Sequence, residues 1–445
     1  MLDQAVSMAA QAATCLVHFL GVCGLTAYLV VSTPRRSVVR LGALPALGYL
    51  AHRLLLELGR VSNSIIFGSV YIGNTMIVLL QCINFLIVRS YDEQDLVWAG
   101  IYTAADPISV RTWRALVLLL NLRGRDTVWQ DRNMHEFPEY CLTTTTKAGE
   151  KDGTAAKTTQ KPAVHRGRFV TRQLVVFAWQ YLFADLAYSM GAVADPEMDE
   201  KMFGAGSEFA YASATPEQWV AKLVVGVFGG FGPGRTSIDM WYRALAIMFV
   251  ASGANEPEHW PPLFGSVGEA YTLRRVWSQF WHQLTRWPLS SISNLLARDV
   301  LCLKRETYVE RAVNTFLAFL CSGAMHVVID LYRGIALEDS PSMMFFTFSA
   351  IGIWVEDVAL MLWRRVVGTR FASKPAAWQK TVGFVWVIFW LMLTAPWFVF
   401  PQARMPLENR WPVPVGVCEH IGLPAAQALL VSGGIGIKFY FGGQV

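Results

Sequence analysis

Charge is scarce in this chain. Asp, Glu, Lys and Arg make up 16% of its 445 residues, against about a quarter in soluble domains. The formal net charge of +5 is too small a surplus to point to a nucleic-acid partner. The eight histidines include no HxxxH pair, so nothing recommends a metal site. The seven cysteines, at positions 15, 23, 82, 141, 302, 321 and 418, are odd in number and scattered, with no CxxC pair. They make no disulfide framework. There is no GxSxG, and Cys321 sits in an apolar run without an adjacent base, so no activated Ser or Cys nucleophile is in view. No internal repeat of useful length is found, whereas transporters often show repeated halves. Before Arg35 the only charge is Asp3, so the first apolar run reads as a retained span and not as a cleaved signal.

Apolar residues, 53% of the chain, are abundant and gathered into runs. Residues 13–31, 65–88, 169–193, 312–331, 343–363 and 382–400 each approach or exceed the ~20 residues that cross a hydrocarbon core. Weaker candidates are 41–58, 220–231, 238–254 and 421–441. The expected fold is an all-α polytopic membrane protein with about eight to ten transmembrane helices. Basic residues concentrate in 35–40, 111–132, 147–172, 274–311 and 364–380, and by the positive-inside rule these loops face the cytoplasm. Two full crossings between 217 and 273 would put Arg274 on the wrong side. The Gly- and Pro-rich stretch VVGVFGGFGPG, 224–234, therefore reads as a broken or re-entrant piece. Three parts are expected: N-terminal helices with a cytoplasmic loop (1–142), a disordered polar linker (143–168), and a transmembrane core (169–445).

Two stretches bear chemistry. In FLAFLCSGAMHVVIDLYRG, 316–334, a histidine and an aspartate stand in an apolar run, where polar groups are costly and often functional. His326 and Asp330 are four residues apart, hence on one helix face with Ser322, and Gly323 removes a side chain nearby. A carboxylate there can fix the tautomer of the imidazole and raise its basicity. In RRVWSQFWHQLTRW, 274–287, helical spacing puts Trp277, Phe280, Trp281 and Leu284 on one face and Arg275, His282 and Arg286 toward the other. Taken alone this is an amphipathic helix lying in the membrane interface. Paired with a second buried histidine, it suits removal of a proton from a hydroxyl by a neutral imidazole. The alcohol then attacks an acyl thioester directly.

PLFGSVGEAYTLRRVWSQFWHQLTRW (262–287) and AFLCSGAMHVVID (318–330) resemble the wax-synthase-like branch of the membrane-bound O-acyltransferase superfamily. Within it they most resemble fungal members that acetylate terpenoid or meroterpenoid products. The similarity covers about residues 255–400. NLRGRDTVW, 121–129, is a weaker match in which Asp126 replaces a family glycine, and it receives no role here. GIWVEDVAL, 352–360, resembles the family's acidic pair.

The resemblance implies a membrane-embedded acyltransferase chamber with His326 as catalytic base and His282 as second catalytic position. Trp281, Gln283 and Asp330 would be supporting residues. Acyl-CoA, most simply acetyl-CoA, would enter from the cytoplasmic side as co-substrate, with no permanently bound cofactor. Arg274, Arg275, Arg286, Arg298, Lys304 and Arg305 would hold its phosphates. Asp185, Glu356 and Asp357 would face the same chamber. The other partners implied are a small lipophilic alcohol and the bilayer, with the endoplasmic reticulum as location.

Three other readings compete. A wax synthase would use a long acyl donor. A proton-coupled transporter would use the His/Asp pair as a relay. A membrane terpene cyclase would use the buried carboxylates Asp239, Glu356 and Asp357.

Overall fold

The computed structural model describes residues 2–61, 65–135, 164–192, 196–367, 375–405 and 415–441. Among them the regular structure is helical. The chain runs through α1 (Leu2–Ser32), α2 (Val38–Val61) and α3 (Ile65–Ile83), the last prolonged by a π-helical turn, Asn84–Val88. Short α4 (Glu93–Trp98) and α5 (Ile108–Leu120) lead to α6 (Arg166–Ala192) and α7 (Pro196–Phe203). Next come α8 (Pro216–Ala221), a π-helix Lys222–Gly229, and α9 (Gly230–Ala251). After α10 (Leu273–Arg275) and α11 (Arg286–Asn294) stand the long α12 (Tyr308–Tyr332), α13 (Ser342–Val367) and α14 (Ala377–Ala403). The chain closes with α15 (Val417–Ile421) and α16 (Leu423–Phe441).

Five helical segments, within α1, α3, α12, α13 and α14, are long and apolar enough to cross a membrane. Four more reach the ~20-residue crossing length within about a residue: α2, α6, α9 and α16. Among the described residues these nine fall inside the eight to ten expected. The protein is an integral membrane protein.

The stretch at 224–234 is neither broken nor re-entrant. From Pro216 to Ala251 the chain is one helical run, α8, π-helix and α9 in sequence. Its glycines serve packing. A Cβ on Gly226 would stand 3.0 Å from Pro396 Cγ, and one on Gly230 would stand 2.3 Å from Val399 Cγ2. Small residues let two membrane helices approach closely, and here they seat the run against α14. The apolar runs 220–231 and 238–254 are thus two parts of a single crossing, which brings Arg274 back to the basic end without a broken helix.

Loop contacts define the two ends of the bundle. At the basic end Arg35 pairs with Asp92 and Asp95, Arg166 with Glu256 and Arg298 with Glu310. At the other end Arg404 pairs with Glu208 at 2.8 Å, and buried Lys222 donates to the carbonyls of Ser207 and Glu208. Most of the expected linker lies outside the described residues. Its last residues belong to the fold, because Val164 is buried, its N–H donates to Glu258, and α6 starts at Arg166. The N-terminal helices share a core with α12: Leu55, Ile72 and Ile77 lie in one apolar cluster with Leu263, Leu284, Met325 and Ile329.

Cys302 is the exposed cysteine among those described and lies within the basic segment 274–311. In a Cys141→Ser background, a membrane-impermeant maleimide should label it on sealed microsomes without detergent. Labelling only after detergent would reverse the orientation.

Candidate active site

The segment expected to be one amphipathic helix is interrupted. After three residues of α10 the helix widens to a π-helix, Val276–Phe280, closed by Trp281 N–H donating to Val276 O at 2.7 Å. Trp281 is extended (φ −74°, ψ 154°), and the chain stays out of helix until α11 begins at Arg286. The segment is therefore not one helix, yet its aromatic side chains stay together: Trp281 meets Trp277 at 6.1 Å and Phe280 at 6.5 Å, and Phe231 packs on both Trp277 and Trp281. α11 also runs out into a π-helix, Leu295–Val300.

This segment is the true re-entrant element. Leu284 lies in the cluster with Met325 and Ile329, near the far end of α12. On the way out, Asn314 Nδ2 donates to Asn294 Oδ1 at 2.7 Å, and Arg298 Nε donates to Glu310 Oε1 at 2.8 Å. Glu310 and Met325 are fifteen residues apart, about 22 Å along a helix, so the loop reaches deep into the bundle. Non-helical backbone at that depth needs protein partners. Buried Gln283 supplies some of them: its Nε2 donates to Ser278 O and Trp281 O, each at 2.9 Å, and its Oε1 accepts from Arg286 at 3.0 Å. At the entrance, the buried Glu356 carboxylate accepts Leu273 N–H at 2.7 Å and Arg274 N–H at 3.3 Å. It caps the start of α10 from the side of α13.

His326 Nδ1 is 2.8 Å from Ser322 O. A carbonyl oxygen only accepts, so Nδ1 carries the proton and Nε2 keeps its lone pair. The ring stacks on Phe346, with centroids 4.1 Å apart, and meets Phe398 edge-on at 5.5 Å. Trp277, Phe319 and Phe345 complete this aromatic wall, Trp277 standing 5.6 Å from Phe319 and 6.1 Å from Phe345. His282, at the turn of the re-entrant loop, meets Phe264 edge-on at 5.7 Å, and its buried Nδ1 has no hydrogen-bond partner. Its ring lies 5.6 Å from Trp281, Trp281 meets Trp277 at 6.1 Å, and Trp277 stands 6.0 Å from Phe346, the ring stacked on His326. The fold thus brings together the two histidines that the sequence separates.

The expected supporting carboxylate is employed elsewhere. Asp330 accepts from Ser340 Oγ at 2.6 Å and Ser342 Oγ at 2.5 Å, which ties down the turn between α12 and α13. The backbone of Ser322, not Asp330, orients the imidazole. Nor do the other acids face the chamber. Glu356 is the cap just described, Asp357 pairs with Arg274 at 2.5 Å, and Asp185 accepts Cys418 N–H at 2.7 Å. Asp239 is held by Arg243 and Gln180.

The expected phosphate-binding cations do not gather in one place. Arg274 lines a cavity of about 730 Å³ with Arg311, Arg364 and Arg365. Arg286 lines a second cavity, of about 530 Å³. Arg275 pairs with Glu269 and lies over Tyr271, and Arg298 pairs with Glu310. Lys304 and Arg305 are exposed on the turn before α12 and line neither cavity.

Sequence reasoning missed the aromatic wall and the turn at 121–131. In that turn Gly124 (φ +57°) and Asp126 (φ +57°) are both left-handed. A glycine is favoured at such positions, and aspartate is among the side chains that tolerate them. The signal was present in Asp126 itself, since a replacement that keeps the left-handed turn keeps the loop.

One histidine on the re-entrant loop and one on a membrane helix are thus linked through a wall of aromatic rings, an arrangement that a membrane-embedded acyl-transfer enzyme could use. Comparison with known proteins agrees. The model of the "Membrane bound O-acyl transferase family" matches residues 260–348, which hold both histidines. Acetyltransferase pyr8 of Aspergillus fumigatus is 36% identical over 423 residues, covering 94% of each chain. Acetyltransferase TRI7 of Fusarium sporotrichioides is 34% identical over 439 residues, 96% of this chain and 95% of that one. Acetyltransferase atnC of Arthrinium sp is 33% identical over 430 residues, 94% of each. No solved structure matches. The chain belongs to the membrane-bound O-acyltransferase family. It is an enzyme, with an acyl-CoA co-substrate and an alcohol acceptor implied by that activity, and the transporter and cyclase readings are set aside.

Replacing Glu356 should disturb the loop that carries His282. Glu356→Leu orphans two buried N–H groups, each costing about 1–3 kcal/mol, while Glu356→Gln retains one acceptor. The thermal midpoint in detergent and acyl transfer should fall together, further for Leu than for Gln. Equal midpoints for both variants and the wild type would remove the capping role.

Proposed function

We propose that the protein transfers an acetyl group from acetyl-CoA to a hydroxyl of a terpenoid or meroterpenoid intermediate in secondary metabolism, with His326 as general base. The observation that carries this reading is the Ser322–His326 bond, which leaves Nε2 as a proton acceptor inside an aromatic wall. Nε2 takes the proton of the alcohol as its oxygen attacks the thioester carbonyl carbon. The tetrahedral intermediate collapses, the C–S bond breaks, and the proton passes from the imidazolium to the departing sulfur. No covalent acyl-enzyme is involved. The partnerless nitrogen of His282 supports a role in binding the developing oxyanion or placing the acceptor, a contribution of ~3–4 kcal/mol for a well-placed donor.

The aromatic surroundings of His326 suit a bulky apolar acceptor. The relatives named acetyltransferases favour acetyl over a long-chain donor. The basic end is the face that CoA approaches, and the endoplasmic reticulum is the membrane in question.

Microsomes carrying the protein, given labelled acetyl-CoA and a panel of terpenoid alcohols, should yield labelled ester. His326→Ala and His326→Asn should each lose ~10²–10⁴-fold in rate at equal abundance. His282→Asn, whose amide still donates a hydrogen bond, should retain far more activity than His282→Ala. Activity in His326→Asn with none in His282→Asn would reverse the two assignments.

A further inference from the structure

The turn at 121–131 is stiffly built. Asn121 Nδ2 donates to Arg125 O at 2.9 Å and its Oδ1 accepts Arg125 N–H at 3.0 Å. Asp126 N–H donates to Gln130 Oε1 at 2.8 Å, and Asp131 N–H to Arg123 O at 3.0 Å. A Cβ on Gly124 would lie 2.6 Å from Trp129 O. The turn is bolted to the loops around the catalytic segment. Arg123 donates to Pro261 O at 2.9 Å, Pro262 O at 3.0 Å and Tyr242 Oη at 2.5 Å, and Asn133 Nδ2 donates to Ser278 O at 3.2 Å.

Between this turn and α11 lies the cavity of about 530 Å³. We propose that it seats the phosphorylated adenosine end of CoA, with Arg89, Arg132 and Arg286 around the phosphates, Arg123 fixing the wall behind them, and Trp129 and Trp287 beside the base. This assignment rests on acyl-CoA being the donor.

Three observations carry it. The first is charge: five arginines, the four named and Arg35, line the cavity against two carboxylates, Asp95 and Asp131. Arg35 already pairs with Asp95, and Arg286 stands 3.5 Å from Asp131. A surplus of guanidinium groups remains, suited to bidentate phosphate binding. The second is shape. Trp129 and Trp287 stack 5.6 Å apart and 19° from parallel, with Tyr91 edge-on at 5.0 Å to Trp129. A flat aromatic surface beside arginines suits a nucleobase. The third is position. Gln283, which follows His282 in the chain, lines the cavity, and Arg123 holds Pro262 O, two residues before the Phe264 ring that meets His282. The pantetheine arm thus has a short path from this seat to the histidines.

The competing seat is the larger cavity with Arg274, Arg311, Arg364 and Arg365. Glu356 lines it, neither histidine nor Gln283 does, and it has the exposed Leu360 and Met361 in its wall.

The test compares acetyl-CoA with S-acetylpantetheine, a donor that lacks the nucleotide, using the full-length protein in detergent. In Arg89→Gln/Arg132→Gln, the ratio of kcat/KM for acetyl-CoA to that for S-acetylpantetheine should fall about tenfold or more, the scale of a lost charged hydrogen bond. Adenosine 3′,5′-bisphosphate should inhibit the wild type in competition with acetyl-CoA, and inhibit the variant correspondingly less. An unchanged ratio overturns the assignment, as does a fall of that size in Arg364→Gln/Arg365→Gln instead. In both cases acetyl transfer by the wild type keeps the proposed reaction standing. A wild type that uses neither thioester overturns the reaction and the seat together.

Discussion

Backbone that leaves the helix deep in a membrane protein must find its hydrogen-bond partners within the protein. The rest of this structure depends on how residues 273–300 meet that demand. Two π-helical turns in this segment, Val276–Phe280 and Leu295–Val300, let the chain bend without abandoning its internal hydrogen bonds. Glu356 of α13 captures the two N–H groups at the entrance, and Gln283 satisfies carbonyls next to the tip. Arg298 and Glu310 close the exit. With those partners in place, His282 can stand at the depth of His326, which no surface helix would allow.

The same economy governs the histidines. Each is half-buried against rings, so an imidazole has few groups with which to share its nitrogens. His326 bonds through Nδ1 to a carbonyl of its own helix, a contact that needs no second buried charge. A carboxylate at that point would have required its own compensation in a dry site. The acid one turn further on does other work, joining α12 to the turn before α13 through two serines.

Much was legible in the sequence because some of its signals are local. Apolar runs of crossing length, a histidine inside one of them, and two motifs in a given order need no partner to be recognised. The misreadings share a cause. Each assigned a role from local sequence where the folded chain decides. Asp330 has the right spacing for His326, yet Ser340 and Ser342 stand closer. Residues 274–287 fit one amphipathic helix, but the chain leaves the helix at Trp281 while Trp277, Phe280 and Trp281 still meet. The glycines at 226 and 230 suggested a break, whereas the proximity of Pro396 and Val399 turns them into packing surface. Asp126 looked like a lost motif, and its left-handed backbone shows the turn preserved.

By itself the sequence determined that this is a helical membrane protein of the acyltransferase family with two histidines to consider, because hydropathy and motif order are properties of the chain alone. Only the tertiary structure decided which segment re-enters the bundle and which rings stand around His326. It also decided which arginines share a cavity. Those outcomes rest on hydrogen bonds and ring contacts between residues tens to hundreds of positions apart, such as Arg123 with Pro261 or Glu356 with Leu273, and no local pattern encodes them.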